Sequence, residues 1–156
     1  MALKPGRKHT DGTDISYFMN EVAERGRVVV YDTSSSSGLG EAMDDSDAIV
    51  KMPTGTNLEP AGVLMNDVVN LDLTRTHLNQ HQDEVQIRGK VTILQNGYIT
   101  TNCLKTGDSP KAGDPAHYDT SGEFTTTTTS RRVGQFMSAP DSDGYAKIGI
   151  NVQVGA

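Results

Sequence analysis

At 156 residues the chain has room for one domain with an arm and not for two ordinary domains. Hydrophobic residues make up 35% and aromatics 5%, with no Trp; only with the 16 Gly added does the apolar share reach the roughly 45–50% typical of a self-sufficient globule, so the core is thin and burial against neighbouring subunits is expected. A net charge of −6 argues against nucleic acid as a partner, because phosphate binding needs a basic face.

The N-terminus departs from that acidic balance. Its first ten residues hold Lys4, Arg7 and Lys8 and no acid, which leaves 11 of the 14 basic residues against all 20 acids in the remainder. Residues 1 to 13 are polar and aperiodic and contain Gly and Pro, the composition of an arm. Asp14 is then a candidate helix N-cap, followed by Ile15, Phe18, Met19 and Val22 at i, i+3, i+4 and i+7, with Gly26 placed to end the helix. So short a helix needs a surface to pack on. The expectation is an arm over residues 1–26 that docks on another protein surface. Lys4, Arg7 and Lys8 would meet acidic groups, and Ile15, Phe18, Met19 and Val22 an apolar site on a neighbouring chain. Packing of the helix onto its own domain is the alternative.

After Gly26 the pattern shortens to β runs. Val-rich Arg27 to Tyr31 predicts a strand, and Thr33 to Gly40, with four consecutive Ser, a loop. Strands follow at Ala48 to Met52 and Gly62 to Leu73, separated by a Pro/Gly/Asn cluster from Pro53 to Pro60. Glu84 to Leu94 alternates cleanly, with Val85, Ile87, Gly89, Val91 and Ile93 on one face and Gln86, Arg88, Lys90 and Thr92 on the other. Asn96-Gly97 predicts a hairpin turn, with Tyr98 to Asn102 returning. Asp114 to Tyr118, Phe124 to Thr129 and Arg132 to Met137 are short strands, and Asp141 to Gly144 is a turn. The last strand, Tyr145 to Val154, puts Ala146, Ile148, Ile150, Val152 and Val154 inward. Such spacing predicts an all-β domain over residues 27–156, a small antiparallel barrel or sandwich.

Nothing in the pattern marks an enzyme, a metal site or a cofactor site. His77 and His81 are four apart, but Leu78 stands where a zinc hydrolase would carry Glu, and Thr74 to Asp83 has the polarity of a loop. His9 and His117 are single. Asp44, Asp45 and Asp47 fail as a calcium loop, since counting from Asp45 puts Val50 sixth and Thr56 twelfth. Gly38-Leu39-Gly40 is too short for a phosphate loop, and Arg88-Gly89 lacks the Asp and Tyr of the dUTP-hydrolysing enzymes. Cys103 has no disulfide partner and no activating His, so a buried apolar role is expected. No apolar run is long enough to span a membrane, and assembly in a cytoplasm is expected.

Four segments in order carry a resemblance. They are Pro60-Ala61-Gly62-Val63-Leu64, the Val85 to Ile93 strand with Gly89 at its centre, Gly113-Asp114-Pro115-Ala116-His117-Tyr118-Asp119 with Gly122, and Arg132-Val133-Gly134-Gln135-Phe136 leading into the final strand. Over residues 60 to 154 the chain resembles the small decoration, or cement, proteins of tailed-phage heads. That resemblance implies a β-barrel-like module on the outer surface of the virion. It would cluster as a homo-oligomer, commonly a trimer with a dimer as the alternative, and bridge adjacent major capsid subunits with help from an N-terminal arm. The long polar N-terminus and the Leu71 to Asp83 loop depart from the shorter members. A tail or fibre module would show repeats or a coiled coil, and neither is present. A carbohydrate-binding module would need an aromatic platform, and only 5 Tyr and 3 Phe are available.

Overall fold

Val28, Val29 and Val30 are all buried, so the strand they form is covered on both faces, and the architecture follows from that. The structure, a computed structural model, describes residues 3–4, 7–21, 23–32, 49–65, 84–85, 90–128 and 130–152. Among the described residues there are eleven strands and no helix: β1 (His9–Met19), β2 (Ala23–Glu24), β3 (Val28–Tyr31), β4 (Ile49–Lys51), β5 (Pro60–Leu64), β6 (Glu84–Val85), β7 (Lys90–Thr101), β8 (Pro115–Tyr118), β9 (Phe124–Thr125), β10 (Gly134–Phe136) and β11 (Ala146–Asn151). Nine of them make one sheet in the order β1-β4-β3-β5-β7-β11-β10-β8-β9, and β2 pairs with β6 apart from it. The β1–β4 pair is parallel and the other named pairs are antiparallel, so the sheet is mixed rather than wholly antiparallel as expected. Because β1 also pairs with β7, the path β1–β4–β3–β5–β7 returns to its start.

The apolar side chains divide between two clusters on opposite faces. One gathers Val28, Val30, Val63, Leu94, Ile99, Tyr118, Phe124, Phe136, Ile148 and Ile150, and the other gathers Met19, Val29, Val50, Leu64, Val91 and Ile93. The predicted alternation of the last strand holds across β11, where Ala146, Ile148 and Ile150 are buried and Asn151 is exposed. β3, β4 and β8 also fall where the sequence places them. β9 and β10 are shorter than expected, and Thr129, Gln153 and Val154 lie outside the described residues. Of the strand expected over Gly62 to Leu73, the described part is β5, which starts earlier, at Pro60; residues 66–73 lie outside. Of the expected Glu84 to Leu94 strand, two pieces are described. Its start is β6, its end is the beginning of β7, and residues 86–89, with Ile87 and Gly89, lie outside the described residues.

Two expectations are overturned. Where the sequence predicted a short helix from Asp14, the chain is strand β1. The competing signal is a period of two, with Ile15, Tyr17 and Met19 at alternate positions. Its partners are remote, for Tyr17 lies opposite Val91 and Met19 opposite Val50. Long-range pairing outweighs a local helical periodicity, since so short a helix is marginal by itself.

The Asn96-Gly97 hairpin is absent as well, because β7 runs unbroken through both residues. Gly97 has φ 139°, and a Cβ there would stand 2.1 Å from the carbonyl oxygen of His9 on β1. Glycine is therefore required for a close strand approach and not for a turn. The β1–β7 register slips at this point, between Thr10 and Gly12. The faces of β7 exchange too: Val91 and Ile93 enter one cluster, while Ile99, an even number of residues further on, enters the other.

Candidate functional site

Ile99 and Ile148 point into the core, so their neighbours Tyr98, Thr100 and Lys147 rise from the opposite face of β7 and β11. The N-terminal residues are drawn to this face by the backbone. Leu3 bridges Thr101, and the Lys4 amide donates to the Thr100 carbonyl at 2.9 Å. Across from them stands the Asp141 to Gly144 turn. One Asp141 oxygen, Oδ1, accepts the Asp143 and Tyr145 amides at 3.0 and 2.8 Å, which fixes the turn. The other, Oδ2, accepts the Lys4 ammonium at 2.9 Å. The Lys4 hydrogen bond, followed by those turn amides, holds the Asp141 carboxyl below the usual carboxylate range.

These elements enclose a cleft of about 450 Å³ lined by Lys4, Arg7, Tyr98, Asp141, Tyr145 and Lys147, with the hydroxyls of Thr100 and Ser138. The Lys147 ammonium lies 4.0 Å from the centre of the Tyr98 ring, and the Lys4 ammonium 5.0 Å from that of Tyr145. His9 stacks on Tyr98 at 5.6 Å and is paired with Asp11 at 2.8 Å. Three cations thus share the cleft with one carboxylate. Among the described residues, neither Arg7 nor Lys147 has a carboxylate partner. On an acidic chain this is a local basic, aromatic-walled depression. It is suited to holding anionic groups of a partner.

The residues expected of a docking arm separate into different places. Lys4 and Arg7 line the cleft, and Lys8 is exposed beside it in sequence. Phe18 is half-buried within β1, opposite Ile49 and Lys90, and Met19 is wholly buried in its own chain's second cluster. Ile15 belongs to β1, and Val22 lies outside the described residues. His77, His81, Asp44, Asp45 and Asp47 also lie outside. Cys103 is buried, and burial pushes its thiol pKa up, the reverse of an activated nucleophile. His117 is buried, with Nδ1 2.7 Å from the Ser130 carbonyl. No group of three or more His, Cys, Asp or Glu side chains among the described residues is arranged to hold a metal ion.

Sequence reasoning missed Tyr98, Asp141, Tyr145 and Lys147 as site residues. The outward position of Lys147 was legible from alternation, and Asp141 from its turn. Their meeting with Lys4 and Arg7 was not, because no local pattern announces that approach.

Comparison with known families places the chain as a whole. The model of the family described as Structural cement protein (E217 gp24/Pam3 gp6) matches residues 7–151, which takes in every strand from β1 to β11. The chain belongs to the phage structural cement protein family. No curated protein matches it significantly. As a cement protein it is a structural component of the phage capsid, located in the virion.

Proposed function

We propose that this cement protein decorates the outer surface of a phage head and stabilises it by bridging adjacent major capsid subunits. The family match across residues 7–151 carries the reading. The thin core and the concentration of Lys4, Arg7 and Lys147 on an otherwise acidic chain support it, since a partner can supply both burial and complementary charge. It works as a homo-oligomer, with a trimer favoured over a dimer, and the closed pairing path β1–β4–β3–β5–β7 is a small barrel. Of the segment 1–26, residues 1–8 form the docking arm, through Lys4, Arg7 and Lys8. Pairing of β1 with β4 and β7 favours counting residues 9–26 with the domain, where Phe18 and Met19 act as packing residues.

The test is thermal disruption of heads assembled without the chain, followed by dye access to the packaged DNA. Adding the purified protein should raise the disruption temperature saturably. Heads that open at the same temperature at every protein concentration would contradict the reading.

A further inference from the structure

We propose that the cleft between Lys4, Arg7, β7 and the Asp141 turn seats an acidic, extended protein segment, with Arg7 and Lys147 holding its carboxylates and Asp141 occupying Lys4 until a third carboxylate displaces it. The inference rests on the capsid-docking reading and names the chemistry of the partner at one site.

Its shape is the first argument. About 450 Å³ is room for a few side chains, so the cations converge on a volume and are not scattered over a flat surface. Charge is the second. Arg7 offers a planar fork that takes a carboxylate bidentately, and Lys147 is held over the Tyr98 ring, ready to meet an anion without being ordered first. The walls are the third. Tyr98 and Tyr145 provide rigid amphipathic area, while Thr100 and Ser138 add hydroxyls.

An apolar contact adjoins the cleft as well. Met137 is the large exposed hydrophobic side chain among the described residues, and its Sδ would lie 3.3 Å from a Cβ placed at Gly149, on the same face of β11 as Lys147. A segment carrying acids next to an apolar residue therefore meets complementary groups in order. Nucleic acid fits less well. It bears charge along its whole length and would run from the cleft onto a chain of net charge −6, whereas a protein segment can confine its acids to the cleft.

Asp141 supplies a discriminating test. Its Oδ1 caps the turn while its Oδ2 neutralises Lys4. Asp141→Asn keeps an oxygen for the Asp143 and Tyr145 amides and removes the charge, so it should free Lys4 without dissolving the turn. Co-sedimentation of the full chain with heads lacking it measures the affinity. Arg7→Glu and Lys147→Glu should each weaken binding about tenfold or more, with the difference shrinking in high salt, and Asp141→Asn should tighten it several-fold. Melting temperatures of the variants report folding separately, and competition on the wild-type chain needs no variant: hexaglutamate should release it from heads, whereas hexalysine and an oligothymidylate should not. Wild-type protein that sediments with heads, is not displaced by hexaglutamate and binds no differently after Asp141→Asn would overturn the cleft inference and leave capsid docking standing. Displacement by oligothymidylate but not by hexaglutamate would assign the cleft to nucleic acid and overturn it too. Wild-type protein that never sediments with heads would overturn both readings.

Discussion

Ionising Cys103 or Tyr118 would strand a charge inside the sheet. Burial raises both pKa values above their ordinary positions, for Cys103 against the weaker opposing effect of a Thr101 hydrogen bond. The unfolded chain would ionise each group first. Their contribution to stability is therefore intact below about pH 9, where an ordinary thiol titrates, and is lost as pH rises through the raised folded values. Melting temperature measured against pH should begin to fall near that point, and Cys103→Ala should remove the earlier part of the fall. An unchanged profile in the variant would count against a buried thiol. Asp141 runs the other way. Its lowered pKa keeps the contact with Lys4 charged at neutral pH and surrenders it only as pH falls below the ordinary carboxylate range. Packing gives a further prediction at this scale. Ile148 is completely buried and Asn151, on the same strand, is exposed, so Ile148→Ala should cost about 2–5 kcal/mol and Asn151→Ala within about 0.5 kcal/mol. Urea denaturation compares them, and equal costs would refute the assignment of faces on β11.

Among the strands, what could be read in advance depended on how local the causes were. β11 was legible because its period of two is uninterrupted and one face is wholly apolar. β3 was legible because three valines in succession suit a strand covered on both sides. The segment from Asp14 was misread because Ile15, Phe18, Met19 and Val22 fit a helical stripe while Ile15, Tyr17 and Met19 fit a strand. The choice between them lies with partners on β4 and β7, remote in sequence. Asn96-Gly97 was misread for the same reason, since an Asn-Gly pair signals a turn only when nothing crosses it. In the candidate site, Lys4 and Arg7 were anticipated by their charge, but the tyrosines, Lys147 and Asp141 depended on a tertiary approach. Gly97→Ala tests the corrected account. A methyl group directed at the His9 carbonyl, at a strained φ, should cost about 1–3 kcal/mol and accelerate amide exchange in β1. Exchange unchanged throughout β1 would mean that the close approach does not hold the two strands together. Truncation makes the same point on a larger element. Removing residues 1–8 should leave a folded, β-type protein, whereas removing residues 1–26 takes away β1 and Met19 from the second cluster and should unfold it. Circular dichroism separates the outcomes, and a stable fold after the longer deletion would show that β1 is dispensable.

For the molecule as a whole, one sheet with a core on each face accommodates a modest number of apolar side chains, and the acidic balance is broken where Lys4 and Arg7 meet β7, β11 and the Asp141 turn. Both features suit a protein whose stability is completed by the lattice it joins. Added lattice contacts would stabilise the folded chain and the capsid together, because each binds the folded form of the other. The central claim is a location, and electron cryomicroscopy difference maps of heads assembled with and without the chain test it most directly. The account predicts added density on the outer surface that spans neighbouring major capsid subunits, with Lys4, Arg7 and the Asp141 turn facing the shell. Difference density confined to the tail or to the inner surface, or no difference at all, would contradict it.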